Sequence, residues 1–133
     1  MPARSSFDYA IVRVVPRVER GECMNVGVML FSRTRRYLAA RIELDVPRLL
    51  AFAPEAERDL AAIQHQLDTI PLICAGGAAA GPIGLLSQAE RWHWLVAPTS
   101  TIIQPSPVHS GLCTDPESML DHLLTTMVRS PSI

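Results

Sequence analysis

Apolar and polar positions alternate through the first third of the chain. In the middle and at the end, apolar residues recur instead at spacings of three and four. "FDYAIVRVV", Phe7 to Val15, alternates as a strand does, and Pro16 closes it. "VERGE" follows as a turn with Gly21 at its tip, and Glu22 to Phe31 then reads as a second, more apolar strand. "SRTRR", Ser32 to Arg36, is the next turn. "YLAARIEL" is a third strand that points Leu38, Ala40, Ile42 and Leu44 one way and Tyr37, Ala39, Arg41 and Glu43 the other. Three sequential strands joined by short turns predict an antiparallel meander.

Helical signals follow. Asp45 is a cap for a short segment with Pro47 in its first turn. "PEAERDLAAIQHQLDTI" begins at Pro54 and carries Leu60, Ile63, Leu67 and Ile70 on one stripe, with Glu55 and Glu57 at its positive end. Pro71 is expected to kink or end it, and "AGGAAAGPIG" reads as a flexible connection. "RWHWLVA" and "STIIQPS" read as two further strands around Pro98. Asp115 and Pro116 open a last helix whose buried face is Met119, Leu120, Leu123, Leu124, Met127 and Val128. The predicted order is βββαββα. It implies an α+β protein, an antiparallel sheet of about five strands with helices packed on one face. One domain, 1–133 with a core of about 7–128, suits this length.

Composition narrows the functional classes. The chain is 48% apolar and 19% charged, the balance of a folded globular protein rather than a disordered one. No apolar run approaches the roughly 18 residues that a membrane span needs, and "MPARSSFDYA" lacks an apolar signal core. A cytoplasmic location, away from membranes, is the expectation. Cys23, Cys74 and Cys113 are too few and too scattered for a disulfide framework and read as small buried hydrophobes. Net charge is −1, so there is no global attraction to nucleic acid. The first 41 residues nonetheless hold eight of the twelve arginines against three acids, and lysine is absent. Arginine suits two-pronged pairing with carboxylate or phosphate.

Two stretches carry polar residues where a plain core would not. In "RGECMNVGVMLF", Arg20, Glu22 and Asn25 open a core strand, and Gly27 interrupts it. That glycine marks a close crossing by another backbone or a bulky ring, with Trp92 or Trp94 as the candidate. Glu22 and Asn25 lie three apart and face opposite sides unless a bulge intervenes near Gly21. In "APTSTIIQPSPVHSG", three prolines force an extended path, and Ser100, Thr101, Gln104, Ser106 and His109 decorate it. These side chains either converge on a ligand or satisfy the loop's own backbone. Phosphate-binding glycine loops, H-E-x-x-H and C-x-x-C are absent. His109 and Cys113, four apart, lack a second ligand pair for zinc. Ser100 or Ser106 with His109 lacks an orienting acid. No metal, cofactor or catalytic set is expected. Arg33, Arg35 and Arg36 form a basic turn open to a partner or an anion, without the aromatic residues of a single-strand platform.

"YAIVRVVPRVERGECMNVGVMLF" together with "WLVAPTSTIIQPSPVHSGL" resembles a bacterial family catalogued as domain of unknown function 3037, over about Phe7 to Val128. Gly21, Glu22, Asn25, Val26, Gly27 and Val28 match one family motif. Pro98, Ser100, Thr101, Gln104, Pro105, Ser106, Pro107 and His109 match the other. Thr99 stands where the family pattern has arginine, which weakens the case for an anion site there. The resemblance implies an accessory role beside a HipA-like kinase-fold protein. Three readings follow. The first is a non-enzymatic protein-binding partner of such a protein. The second is a small enzyme or ligand-binding domain whose pocket is formed by Glu22, Asn25 and the Ser100 to His109 loop. The third is a nucleic-acid contact through the arginine-rich N-terminal strands.

Overall fold

In the computed structural model, which describes residues 3–129, the alternating first third forms the meander that its pattern predicts. β1 (Ser5–Val14), β2 (Met24–Ser32) and β3 (Tyr37–Ile42) pair in sequence, all antiparallel. On the other side of β1 lie two short strands, β4 (Ile103–Pro105) and β5 (His109–Cys113), which pair end to end along it. The sheet therefore has five strands and reads β3-β2-β1-β4, with β5 also on β1. The α+β class and the antiparallel sheet are as the sequence predicts.

The helices are α1 (Val46–Phe52), α2 (Leu60–Ala75), α3 (Gln88–Val96) and α4 (Pro116–Met127). Asp45 caps α1, its side chain accepting from the Arg48 backbone N–H at 3.1 Å. A 3-10 turn, Pro54–Asp59, leads into α2, which runs through Pro71 to Ala75 rather than ending there. The glycine-rich connection after it is folded into two further 3-10 turns, closed by Gly77 N–H donating to the Gly84 carbonyl at 2.8 Å.

Three expectations fail, each for a visible reason. "RWHWLVA" is not a strand but most of α3, so the order is βββαααββα. A capping box starts this helix: Ser87 Oγ accepts from Glu90 N–H at 3.2 Å, and Glu90 Oε1 accepts from Ser87 N–H at 3.1 Å. Trp92 and Leu95 turn inward, and Trp92 stacks on Phe31 at 5.7 Å between ring centroids. The fifth strand is instead "HSGLC", whose pairing with Ser5 to Tyr9 spans about a hundred residues of chain.

The helices also do not share one face. α1, α2 and α3 bury Leu49, Ile63, Leu67, Ile73, Trp92 and Leu95 against Ala10, Val12, Val14, Met29, Phe31, Leu38 and Ala40. α4 buries Leu120, Leu123, Leu124 and Val128 against Phe7, Ile11, Val28 and Leu30 on the opposite face. Both faces of β1 and β2 are thus covered, and a strand covered on both sides reads as a continuous apolar run.

The third expectation, at Gly27, fails in part. The close crossing is there, but the backbone of β3 makes it and not a tryptophan. A Cβ on Gly27 would lie 2.6 Å from Ile42 Cδ1 and 2.8 Å from the Arg41 carbonyl oxygen of β3. The glycine is needed because β3 lies so close, and β2 also bulges at this point. Val12 pairs with Gly27 and Arg13 with Asn25, which leaves Val26 as the extra residue. The bulge sits there rather than near Gly21, and it exchanges the faces of β2. Val26 joins Met29 and Phe31 under the three helices, while Asn25 turns to the α4 side.

Candidate functional site

The proline-rich segment is where β1 changes partners. Pro105 and Pro107 have no N–H to offer, so Ser106 between them serves Ile11 alone. Its backbone N–H donates to the Ile11 carbonyl at 2.8 Å, and its Oγ accepts from the Ile11 N–H at 2.8 Å while donating to the Pro107 carbonyl. Ser106 is buried, and its hydroxyl splices β4 to β5. The neighbouring side chains are turned to the loop itself. Thr101 Oγ1 donates to the Ile103 carbonyl at 2.8 Å, and Gln104 Nε2 donates to the Thr101 carbonyl at 2.8 Å. His109 opens β5 on the exposed edge, its ring 5.3 Å from that of its cross-strand partner Tyr9. Cys113 ends the same strand, about 13 Å further along at strand rise, and is buried beside Ser5. The two side chains share no ligand site.

The polar residues of the second strand separate. Glu22 pairs with Arg20 at the surface, beside the Arg17–Glu55 pair at 3.0 Å and the half-exposed Phe52, around a shallow cleft. Glu55 sits below the ordinary carboxylate range, chiefly because its own backbone N–H donates to it, with Arg17 adding to that. Asn25 lies elsewhere. Its Nδ2 donates to the Met127 carbonyl at 3.0 Å and so occupies the C-terminal end of α4. The two motifs do meet in space, but at Gly21 and Cys23, which share a cleft of about 220 Å³ with Thr99, Ser100 and Gln104. Cys23 is exposed, unlike the other two cysteines. Burial pushes the Cys74 thiol up to about 12 and raises that of Cys113, so neither is a ready nucleophile.

The basic turn also divides. Arg35 is a clamp: Nε donates to Ser5 Oγ at 2.7 Å, and an Nη donates to the carbonyls of Ala3 and Thr114. It ties the start of β1 to the approach to α4. Arg36 has a left-handed backbone, φ 51°, and its carbonyl accepts from Gln88 Nε2. Arg33 and Arg36 line a shallow depression beside Phe31 and Gln88.

Two features escaped the sequence reading. The first is Arg13, which pairs across the sheet with Asn25 on one side and Gln104 on the other. It also lines the cleft shared by Gly21, Cys23 and Ser100. Its Nε is buried and has no hydrogen-bond partner among the described residues. An unsatisfied buried donor costs roughly 1–3 kcal/mol, and more when charged. The available signal was an arginine in the midst of "AIVRVV", an otherwise apolar strand.

The second is an apolar cleft of about 410 Å³ on the three-helix face, between α2, α3 and the segment that leads to β4. Val12 and Met29 form its floor, and Ile70, Trp94, Ile103 and Pro105 are among its walls. Trp94 is 51% exposed, a large ring left half in water at the rim. No single sequence signal joins these residues, because five elements contribute them.

Among the described residues, no helix is long and apolar enough to cross a membrane, and no three His, Cys, Asp or Glu side chains are grouped to hold a metal ion. Fold and site together define an antiparallel α+β domain whose motif polar groups mostly brace its own backbone, with clefts on both sides of the β4 edge. The chain belongs to the family described as protein of unknown function, DUF3037, whose pattern matches residues 9–128. No curated protein and no solved structure matches it.

Proposed function

We propose that this domain is a non-enzymatic binding module that docks another protein at the apolar cleft between α2, α3 and β4, with Trp94 as its anchor. The observation that carries the reading is the half-exposed tryptophan on the rim of an apolar cleft. Aromatic anchors of this kind dominate interface energetics when a partner completes their burial. The family resemblance implies a HipA-like kinase-fold protein as that partner. The motif residues support a scaffold rather than a reaction centre: Ser106, Thr101 and Gln104 hydrogen-bond the loop backbone, and Asn25 braces α4. A nucleic-acid contact gains little from the N-terminal arginines. Arg17 and Arg20 are paired with carboxylates, Arg41 lies against Glu117 and Asp121, and Arg35 is held by backbone carbonyls.

The test is a binding titration with a HipA-like kinase-fold protein from the same organism. Trp94→Ala should weaken the complex by about 2 kcal/mol or more, roughly thirtyfold, without lowering the melting temperature. Undiminished binding by that variant, or no complex with the wild-type chain, would overturn the reading.

A further inference from the structure

We propose that the cleft around Arg13 is a binding site for an oxyanion, the carboxylate or phosphate group of a ligand. It lies on the α4 side of the sheet and stands independently of the Trp94 docking surface.

Arg13 is set apart by what surrounds it. The other arginines with inward-reaching head groups have their Nε–H engaged. Arg91 donates to the carbonyls of Ile73, Cys74 and Leu86, and Arg35 to Ser5, Ala3 and Thr114. Arg13 has a buried Nε with no partner and no ion pair among the described residues. The nearby end of α4 does not supply one, since Asn25 takes the Met127 carbonyl. The cleft that Arg13 lines contains no carboxylate. Its polar lining includes Ser100 and Gln104, with Thr99 as a hydroxyl rather than a second cation, so that Arg13 supplies the charge, and its walls include Val15 and Val18.

A guanidinium edge made of Nε–H and one Nη–H matches two oxygens of a carboxylate or phosphate, and such a pair is strongest where water is scarce. The unpartnered Nε–H of Arg13 belongs to that edge, which an entering anion must uncover because the Nε itself is shielded from solvent. The cleft, about 220 Å³, has room for one oxyanion group with part of its substituent. An anion there would give that donor its partner and pair a half-buried guanidinium that has no carboxylate in the cleft beside it.

The experiment is a nuclear magnetic resonance titration of the full chain with inorganic phosphate and, separately, with acetate, at ionic strength held constant with chloride. The Arg13 Nε–H resonance and the backbone amides of Gly21 and Cys23 are followed. Saturable shifts at these three positions with either anion are expected, and the tighter of the two names the oxyanion class. In Arg13→Gln the amide shifts should vanish, and in Arg13→Lys affinity should fall about tenfold as the two-pronged edge is lost. Linear, unsaturable shifts with both anions in the wild type, or saturable shifts that persist unchanged in Arg13→Gln, would overturn the proposal. Should both variants fail to fold, the wild-type Nε–H resonance decides alone: saturation there supports the site and its absence refutes it.

Discussion

The two faces of the sheet are built to different standards of closure. Three helices cover one face and bring a continuous core with them, from Leu49 of α1 to Leu95 of α3. A single helix, α4, covers the other and seats mainly over β2 and β3. The three-helix face is interrupted by an apolar cleft at its β4 edge, the one with Trp94 on its rim. The one-helix face runs out at the same edge into polar groups: Arg13, Asn25 and Gln104 across three strands, with His109 further along. Surface left over beside several helices is apolar because it is an unfilled part of the core. Surface left beyond the end of one helix must face water, and it is polar. That difference is why the cleft beside Trp94 suits an apolar anchor and the cleft at Arg13 suits a charged group.

The largest effects should come from removing core side chains, one for each face. Leu67 and Leu120 are both fully buried, the first in α2 and the second in α4. Leu67→Ala and Leu120→Ala should each cost about 2–5 kcal/mol in denaturant unfolding. If the faces differ as described, a hydrogen-exchange comparison will separate them. Leu120→Ala should loosen α4 with the β2–β3 hairpin, and Leu67→Ala should loosen α2 and α3. Identical exchange patterns in the two variants would show that the faces unfold as one unit.

A smaller effect tests the seam where the faces meet at the edge. Ser106→Ala leaves the Ile11 N–H without its acceptor and should cost roughly 1–3 kcal/mol. Unfolding midpoints with an unchanged denaturant slope would confirm a local loss. A change under half a kcal/mol would show that water replaces the hydroxyl.

The smallest effect is common to both faces. Glu90 in the α3 cap sits below the ordinary carboxylate range through the hydrogen bonds of Ser87, and Asp115 before α4 does so through the hydroxyl of Ser118. Folded-state values lower than unfolded ones mean stability that is present above about pH 4 and lost as pH falls through the folded values. The melting temperature should therefore decline below that point. Glu90→Gln and Asp115→Asn should each flatten the decline, one for each face. Unchanged acid curves in both would remove the caps from the account.

Much of this architecture was legible in the sequence because it is local. Period-two alternation with a turn at "VERGE" and another at "SRTRR" specified the meander, and the alternation in Tyr37 to Glu43 assigned each side chain of β3 to its face. The caps at Asp45 and the stripe of Ile63 and Leu67 were equally plain. Within "RWHWLVA", seven residues were too few to distinguish the two periods, although Ser87 and Glu90, three apart, already spelled a capping box. The amphipathic pattern of α4 showed that it must be buried but not on which side. The counter-signal was β2, whose run of Val28, Met29, Leu30 and Phe31 is apolar on both parities and so calls for cover on both faces. Other features existed only once the chain had folded. The pairing of β5 with β1 joins residues about a hundred apart, and the bulge at Val26 puts Asn25 on the face opposite Met29 and Phe31. Arg13 acquires its neighbours Asn25 and Gln104 only across strands. Local free energies of turn, cap and alternation act within a few residues and are written in the sequence order. The choice of face, the register across a sheet and the neighbours of a half-buried arginine depend on which distant surfaces come to rest against each other, and only the tertiary structure decided those.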